Sequence, residues 1–574
     1  MSRTEKWLPF IVGCALALPT VLVHCPPMAD YPLHEAIVGL MRHYGDPQFA
    51  PHELYRLNLG HPNQLFYFLA WLLSYPLGVT KGCELVIAAG IVLIPVSGAY
   101  FCRAFGKWQW ITPLLAPLAV GWLYYWGLIA NILSISVFLF ALPTLDRCAE
   151  KPDWRGVAKA CAFIVLLYAA HEATLLSACA VYGLLCIARP LSFKGSLARA
   201  VPLALAMTMA VVQVRLQRAN FRAGAEPAER ELFIPLLDKL KVLPSSLFAG
   251  FELWVQVVVF SLASAVALTF VYLRVVDRDK TKRTLRQWFY DLRFEAAALM
   301  LFAAYWAAPA TLNGATLVFH RFLPLAWALF VVCASPLRRT KVPRLTPLLA
   351  SAVPIGVALI NWPQFWDAND VFAQLDDVSQ SVEIGSPVLA VQLSEKGSRL
   401  YPLATVAGHV VARRGGRAAY DFTQSPISPV LLRLECDWPL TRERLVVDAR
   451  YMRPTYDFRR FRYVIFHARE SWLLDVAAHI VADEGRVVAR KGEWMVVESK
   501  LKVRGLCKPD WKIPTPPPMT FQQRWAKMIV AAAANGDQID YSVRFPEDHP
   551  DAGSPSSDAG VDAAPPSTSD AGAP

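Results

Sequence analysis

Asp30, His34 and Glu35 are spaced for proton chemistry. They fall in Met28-Ala29-Asp30-Tyr31-Pro32-Leu33-His34-Glu35, directly after the first apolar stretch of the chain. A carboxylate at a membrane–water boundary can have a raised pKa, which suits a general base. Such a group can take a proton from an acceptor hydroxyl, or hold a divalent cation beside a pyrophosphate. His34 and Glu35 follow one helical turn later, placed to orient Asp30 or its substrate. The plainer alternative is that Asp30 is the N-cap of the helix that follows.

A second set of polar residues stands where apolar stretches begin or end. His171-Glu172 interrupts an otherwise apolar segment, where ionisable groups mark a functional site or merely the surface of a tight loop. His320-Arg321 opens the stretch FHRFLPLAW. The Arg321 guanidinium can snorkel to headgroups, or fork onto a lipid phosphate. Asn313 and Gly314 just before it would keep that mouth open and polar. Arg56, Asn58, His61 and Asn63 can contact sugar hydroxyls or simply form a polar loop.

The elements that must position these residues are membrane spans. The 574 residues are 55% hydrophobic and only 18% charged, short of the quarter expected of a soluble chain. Apolar stretches fall at 7–24, 83–102, 109–126, 130–145, 157–170, 173–188, 199–215, 251–273, 295–312, 316–334 and 345–361, each long enough or nearly so to cross a bilayer. Lys and Arg collect in alternate gaps: Arg3/Lys6, Arg103/Lys107, Arg147/Lys151/Arg155, Arg189/Lys194/Arg199, Arg274 to Arg293, and Arg338/Arg339/Lys341/Arg344. By the positive-inside rule those gaps are cytoplasmic, the N-terminus with them. The net charge of +11 is thereby spent on orientation, which excludes nucleic acid as the partner. The alternation holds only if Leu65–Leu77, about 13 residues long, does not cross. It is read as a juxtamembrane or re-entrant element. The segment 25–80 is then a large first outer loop, and all 11 histidines lie at or beyond the outer face.

The predicted fold is thus a polytopic α-helical membrane protein with about 11 transmembrane helices in residues 1–361. A C-terminal extracytoplasmic α/β domain follows over 362–510. Its strand-like runs are Val388–Val391, Tyr463–Phe466, Val487–Ala489 and Trp494–Val497, with a turn at Gly492 and a helix through Asp475 to Ala482. Residues 511–574 read as a Pro-rich linker, a short helix at Phe521–Ala534 and a tail, disordered from about 540, too rich in Asp, Ala, Gly, Pro and Ser to bury a core. None of the 11 cysteines forms a CxxC pair, and Cys436 and Cys507 are either a disulfide on the outer side or two free thiols. Walker A, GxSxG, HExxH and GxGxxG motifs are absent in a suitable setting, which leaves ATPase, serine hydrolase and zinc protease readings unsupported.

In order and placement the chain resembles the GT-C glycosyltransferases, multi-span membrane enzymes that use polyprenyl-phosphate-linked sugars. A first span leads to an outer loop with an acidic motif (DYPLH). Then come a juxtamembrane stretch (HPNQLFYFLAWLLSYPLG) and a second span ending SGAYFCRAFG. The resemblance covers roughly residues 1–340 and implies that Asp30 is the catalytic base or a metal-binding acid. It departs from the family's paired-acid form, since Tyr31 follows Asp30 and the nearest other acid is Glu35. The expected function is sugar transfer, hexosyl or pentosyl, from a polyprenyl-phosphate carrier to a glycan, lipid or protein acceptor on the periplasmic side of a bacterial inner membrane. Asp30, His34 and Glu35 would be catalytic. His171, Glu172, His320, Arg321, Asn313 and His61 would bind substrate, and a divalent cation is the one cofactor such a site would take. The competing class is a non-catalytic transporter, or a lipid-handling or polysaccharide-assembly protein of the envelope.

Overall fold

The computed structural model describes residues 3–189, 192–220, 233–248, 253–276, 285–312, 315–316, 318–337, 345–393, 405–419, 422–433, 452–503 and 519–534. Asn313, Gly314, Cys436, Cys507 and the tail from 540 lie outside them. Among the described residues, five helices are long and apolar enough to cross a membrane, with four shorter apolar helices beside them.

Helix α1 (Arg3–Leu22) and helix α4 (Val79–Ala104) pack antiparallel. The Lys81 ammonium donates to the carbonyls of Val21 (3.1 Å) and Val23 (3.5 Å), while a Cβ on Gly13 would lie 2.9 Å from the Val92 Cα. The end of α1 and the start of α4 therefore share one face of the bundle, and the segment between them leaves and returns there. Within it run α2 (Tyr31–Arg42) and α3 (Leu65–Leu77). At 1.5 Å per residue α3 spans only about 20 Å, against ~30 Å of hydrocarbon. It turns at Gly78, φ +84°, and lies tightly on α4, where a Cβ on Gly82 would sit 2.9 Å from both the Ala70 carbonyl oxygen and the Ser74 nitrogen. Gly82→Val should therefore cost about 1–3 kcal/mol by overpacking, read as a lower unfolding midpoint of the purified protein.

The stretch 109–126, expected as one span, is instead broken into one-turn pieces at Thr112–Leu115, Ala116–Ala119 and Trp122–Tyr125. Pro113, Pro117 and Gly121 account for the breaks, since proline removes a helical donor and glycine favours other backbone conformations. The broken path still connects opposite faces. The next helix, Ile129–Glu150, runs parallel to α4: Gly90 faces Ile132 and Leu133, and the Tyr100 and Phe140 rings lie 5.3 Å apart. Irregular backbone at that depth is tolerated because protein surrounds it; Ile111–Tyr125 is buried throughout.

A single helix, Leu345–Ser379, carries the chain out of the bundle, running uninterrupted through position 361 despite Pro354 and Pro363. It leads to a five-stranded sheet. With β1 at Tyr55–Leu57 in the first loop, the strands that follow this helix are β2 (Pro387–Gln392), β3 (Arg417–Ala418), β4 (Val430–Leu432), β5 (Tyr463–His467), β6 (Gly485–Lys491) and β7 (Trp494–Ser499). The sheet order is β3-β2-β5-β7-β6, parallel through the first three strands and antiparallel after them. Period-2 alternation sorts its side chains. Val388, Ala390, Tyr463, Ile465, Trp494 and Val496 join the bundle's core, while Leu389, Val391, Val464, Phe466, Met495 and Val497 join a second core. The helices Ser471–Ile480 and Phe521–Ala534 cover that second core, the latter through Phe521 and Met528. Arg524 fixes it there, forking onto the buried Glu484 carboxylate at 2.5 and 2.9 Å.

The module is welded to the first loop. Strand β1 pairs antiparallel with β4, the Tyr55 hydroxyl donates to the Gly416 carbonyl (2.5 Å), and the Asn58 amide donates to the carbonyls of Pro426 and Ser428.

Candidate active site

Asp30 occupies the N-cap position of α2, and its carbonyl accepts from the Leu33 and His34 amides. Its side chain makes no capping hydrogen bond. Among the described residues its carboxylate has neither hydrogen bond nor ion pair, and burial alone pushes it up to about 7. The ordinary reason for an aspartate here, capping, is therefore not the one this structure uses.

The turn that bears Asp30 is held from several sides. The Ala29 amide donates to the Tyr125 carbonyl at 2.8 Å, and Gly127, at φ +77°, lies so close that a Cβ there would be 2.7 Å from the Asp30 nitrogen. His34 sits beneath. Its Nε2 is 3.0 Å from the Gly127 carbonyl, which can only accept, so Nε2 carries the proton and Nδ1 accepts from the Tyr67 hydroxyl at 2.7 Å. Burial lowers His34 to about 4, so it is neutral near pH 7 and serves as a strut between α2, α3 and the Gly127 loop.

Glu35 points elsewhere. It is fully buried, and both carboxylate oxygens are engaged: one by the Thr80 hydroxyl (2.6 Å) and Arg413 (3.0 Å), the other by His409 Nδ1 (2.7 Å). His409 Nε2 and Arg413 Nε continue to Asp376 at 3.0 and 2.9 Å. The pair of acids suggested by the spacing thus separates into one unpartnered carboxylate and one that joins α2 to the C-terminal module. No three His, Cys, Asp or Glu side chains converge as a metal-binding group among the described residues.

His171, Glu172, His320 and Arg321 come together. Arg321 Nη1 lies 3.3 Å from His171 Nε2, and the buried His171 Nδ1 has no hydrogen-bond partner among the described residues. His320 stacks on Trp122 at 4.4 Å and 21°. Asn63, the one non-glycine residue at positive φ among those described, accepts the Glu172 amide hydrogen at 3.0 Å. The Trp122–Tyr125 turn, stacked on His320 at one end and bonded to Ala29 at the other, links this group to the Asp30 turn. His61 is spent on structure, its two ring nitrogens at 2.9 Å from Asn58 and 3.1 Å from Gln213.

Lys239 escaped the sequence reading. Fully buried, it donates to the carbonyls of Tyr305, Trp306 and Ala308 and lies 5.0 Å over the Phe319 ring beside His320. Its only sequence signal was a lysine in a loop of mixed charge.

No protein-family model matches the chain, nor does any curated protein. Its architecture does have a solved counterpart. The crystal structure of ArnT from Cupriavidus metallidurans bound to undecaprenyl phosphate superposes with a TM-score of 0.51 at 12% identity, covering 89% of this chain and 100% of that one. The chain has the ArnT fold. The apo structure of the same ArnT gives 0.49 at 13% identity over 86% and 97% of the two chains. The likeness to the undecaprenyl-phosphate-bound structure runs over most of this chain and is one of overall fold.

Proposed function

We propose that this protein is a membrane glycosyltransferase that moves a sugar from a polyprenyl-phosphate carrier to an acceptor hydroxyl at the face bearing Asp30. The observation that carries the reading is Asp30 itself, a carboxylate at an N-cap that caps nothing and is held near 7 by burial. A base titrating near the working pH combines basic form and driving force to best effect. Support for the carrier comes from the ArnT counterpart, whose crystal structure holds undecaprenyl phosphate.

In this mechanism Asp30 takes the acceptor's hydroxyl proton as the oxygen bonds to the anomeric carbon. The bond from that carbon to the phosphate oxygen breaks, and its electron pair leaves with the polyprenyl phosphate. Arg321 pairs with the phosphate, His171 sets the guanidinium, and His320 with Trp122 walls the mouth. Asp30 afterwards loses its proton to water. The face is periplasmic in this reading and the membrane a bacterial inner membrane, with the basic loops and N-terminus in the cytoplasm.

The test is release of polyprenyl phosphate from a labelled polyprenyl-phosphate hexose or pentose in vesicles carrying the protein and native acceptors. Arg321→Gln should weaken binding of undecaprenyl phosphate by about 10- to 100-fold, the worth of a charge-assisted hydrogen bond. Tight binding of the lipid with no consumption of either donor would replace the transferase reading with a lipid-handling one.

A further inference from the structure

The C-terminal module touches the turn that bears Asp30. Its Thr405 hydroxyl donates to the Ala29 carbonyl at 2.5 Å, one residue before the carboxylate. Ala29 is thereby gripped on both sides, its carbonyl by Thr405 and its N–H by the Tyr125 carbonyl, so the peptides before and after it are both held. Next along the module lies the helix Ala407–Arg414, packed so closely on α2 that a Cβ on Gly408 would be 2.5 Å from the Pro32 carbonyl oxygen and one on Gly39 2.8 Å from that of Ala412. Phe422 of the module closes on the His34 ring edge-to-face at 4.8 Å. His409 and Arg413 anchor the same helix to Glu35.

We propose that the module is a working part of the site, with Thr405 a positioning residue that fixes, through the Ala29 carbonyl, the turn presenting Asp30. The inference rests on Asp30 as the base. Its physical content is directional: the hydroxyl restrains one peptide, and rotation of that peptide swings the adjoining Cα–Cβ bond of Asp30. A displacement of about 1 Å in a catalytic group can cost on the order of 10²-fold in rate. This contact reaches the Arg321 group only through the Trp122–Tyr125 turn, which stays bonded to the Ala29 amide and stacked on His320 without Thr405, so carrier binding should change far less than the rate.

Thr405→Val keeps the shape and removes the donor. Expected are a kcat lower by about 10- to 100-fold with KM for the polyprenyl-phosphate sugar changed by less than about threefold, and an acid limb of the kcat profile moved to lower pH as the loosened turn hydrates Asp30. Thr405→Ser should restore most of the rate. Tyr55→Phe breaks another bond between module and loop, away from Asp30, and should lower the unfolding midpoint without moving the pH profile. Wild-type kcat in Thr405→Val, or Thr405→Ser no better than the valine variant, overturns the proposal. Should Thr405→Val fail to fold, Gly408→Ala decides, its methyl pressing on Pro32 behind the same turn: the same loss of kcat supports the role, and an unchanged kcat overturns it. Turnover surviving in Asp30→Asn would sink the underlying assignment instead. An inactive Asp30→Asn beside a fully active Thr405→Val sinks only the role of Thr405.

Discussion

Replacing Asp30 by Asn should reduce sugar transfer by about 10²- to 10⁴-fold while leaving the protein folded and inserted. Asparagine keeps the shape of the side chain and removes the base. In the wild-type protein kcat/KM should rise with pH to a plateau, with a midpoint near 7, because the reactive form is the carboxylate and burial holds it protonated below that point. The effect on stability runs the other way. The folded state raises this acid above its ordinary value of 3.8, so it is the charged form that folding disfavours. Below about pH 4 the group is neutral in both states and contributes nothing. Above 7 it is charged in both, and the folded protein bears the full cost. Asp30→Asn should accordingly raise the unfolding midpoint at pH 8 and leave it unchanged at pH 4. An unpartnered buried carboxylate at this position therefore costs stability instead of supplying it. Equal unfolding midpoints at both pH values, with turnover intact, would count against the assignment at once.

Much of this site is legible in the chain, and the limits of legibility are physical. Charge alternation treats Leu65–Leu77 as a segment that does not cross; the structure adds that the bond from Lys81 to the end of α1 places both ends of the intervening loop on one face of the bundle. Hydropathy equally marks 109–126 as a span. It does not register that three helix-breaking residues divide the path, because a window average is blind to backbone donors. The acids near the start pose a sharper problem. Asp30 and Glu35 look alike in sequence, as a pair flanking a histidine. What separates them is supplied from afar: Thr80, His409 and Arg413, up to 378 residues downstream, claim Glu35, while Asp30 has no partner among the described residues. His61 is resolved in the same way by Gln213. Pairing across the fold, which no local spacing encodes, decides whether a polar residue is structural or free.

Glu35→Ala is the second large effect expected, and it concerns the joint instead of the chemistry. Removing this carboxylate leaves His409, Arg413 and Asp376 in a buried site with one acid for two basic groups. Breaking a buried charge pair from one side typically costs about 3–5 kcal/mol, because the remaining charge keeps its desolvation penalty. The pH dependence of the joint follows from its members. Burial and Arg413 both oppose a charge on His409, yet Glu35 and Asp376 outweigh them, and its pKa is raised. Its contribution is complete below the unfolded value near 6.5 and is lost as pH rises through the higher folded one. Burial would raise Glu35, but Arg413 and His409 hold it below 4.5, so its share is present above that value and lost on acidification. Other ionisable groups facing the cluster are Lys81 and Glu84, at the start of α4, and His24, just beyond α1. The joint is thus strongest at intermediate pH. Glu35→Ala should flatten that dependence and lower the unfolding midpoint most between about pH 5 and 7. The readout is the wild-type minus variant difference in thermal unfolding, followed by tryptophan fluorescence of the purified protein across pH. A difference that stays small and constant with pH would show that the cluster does not hold the module to α2. The same variant should also lower turnover, because the Ala407–Arg414 helix that Glu35 anchors is the one packed behind the Asp30 turn.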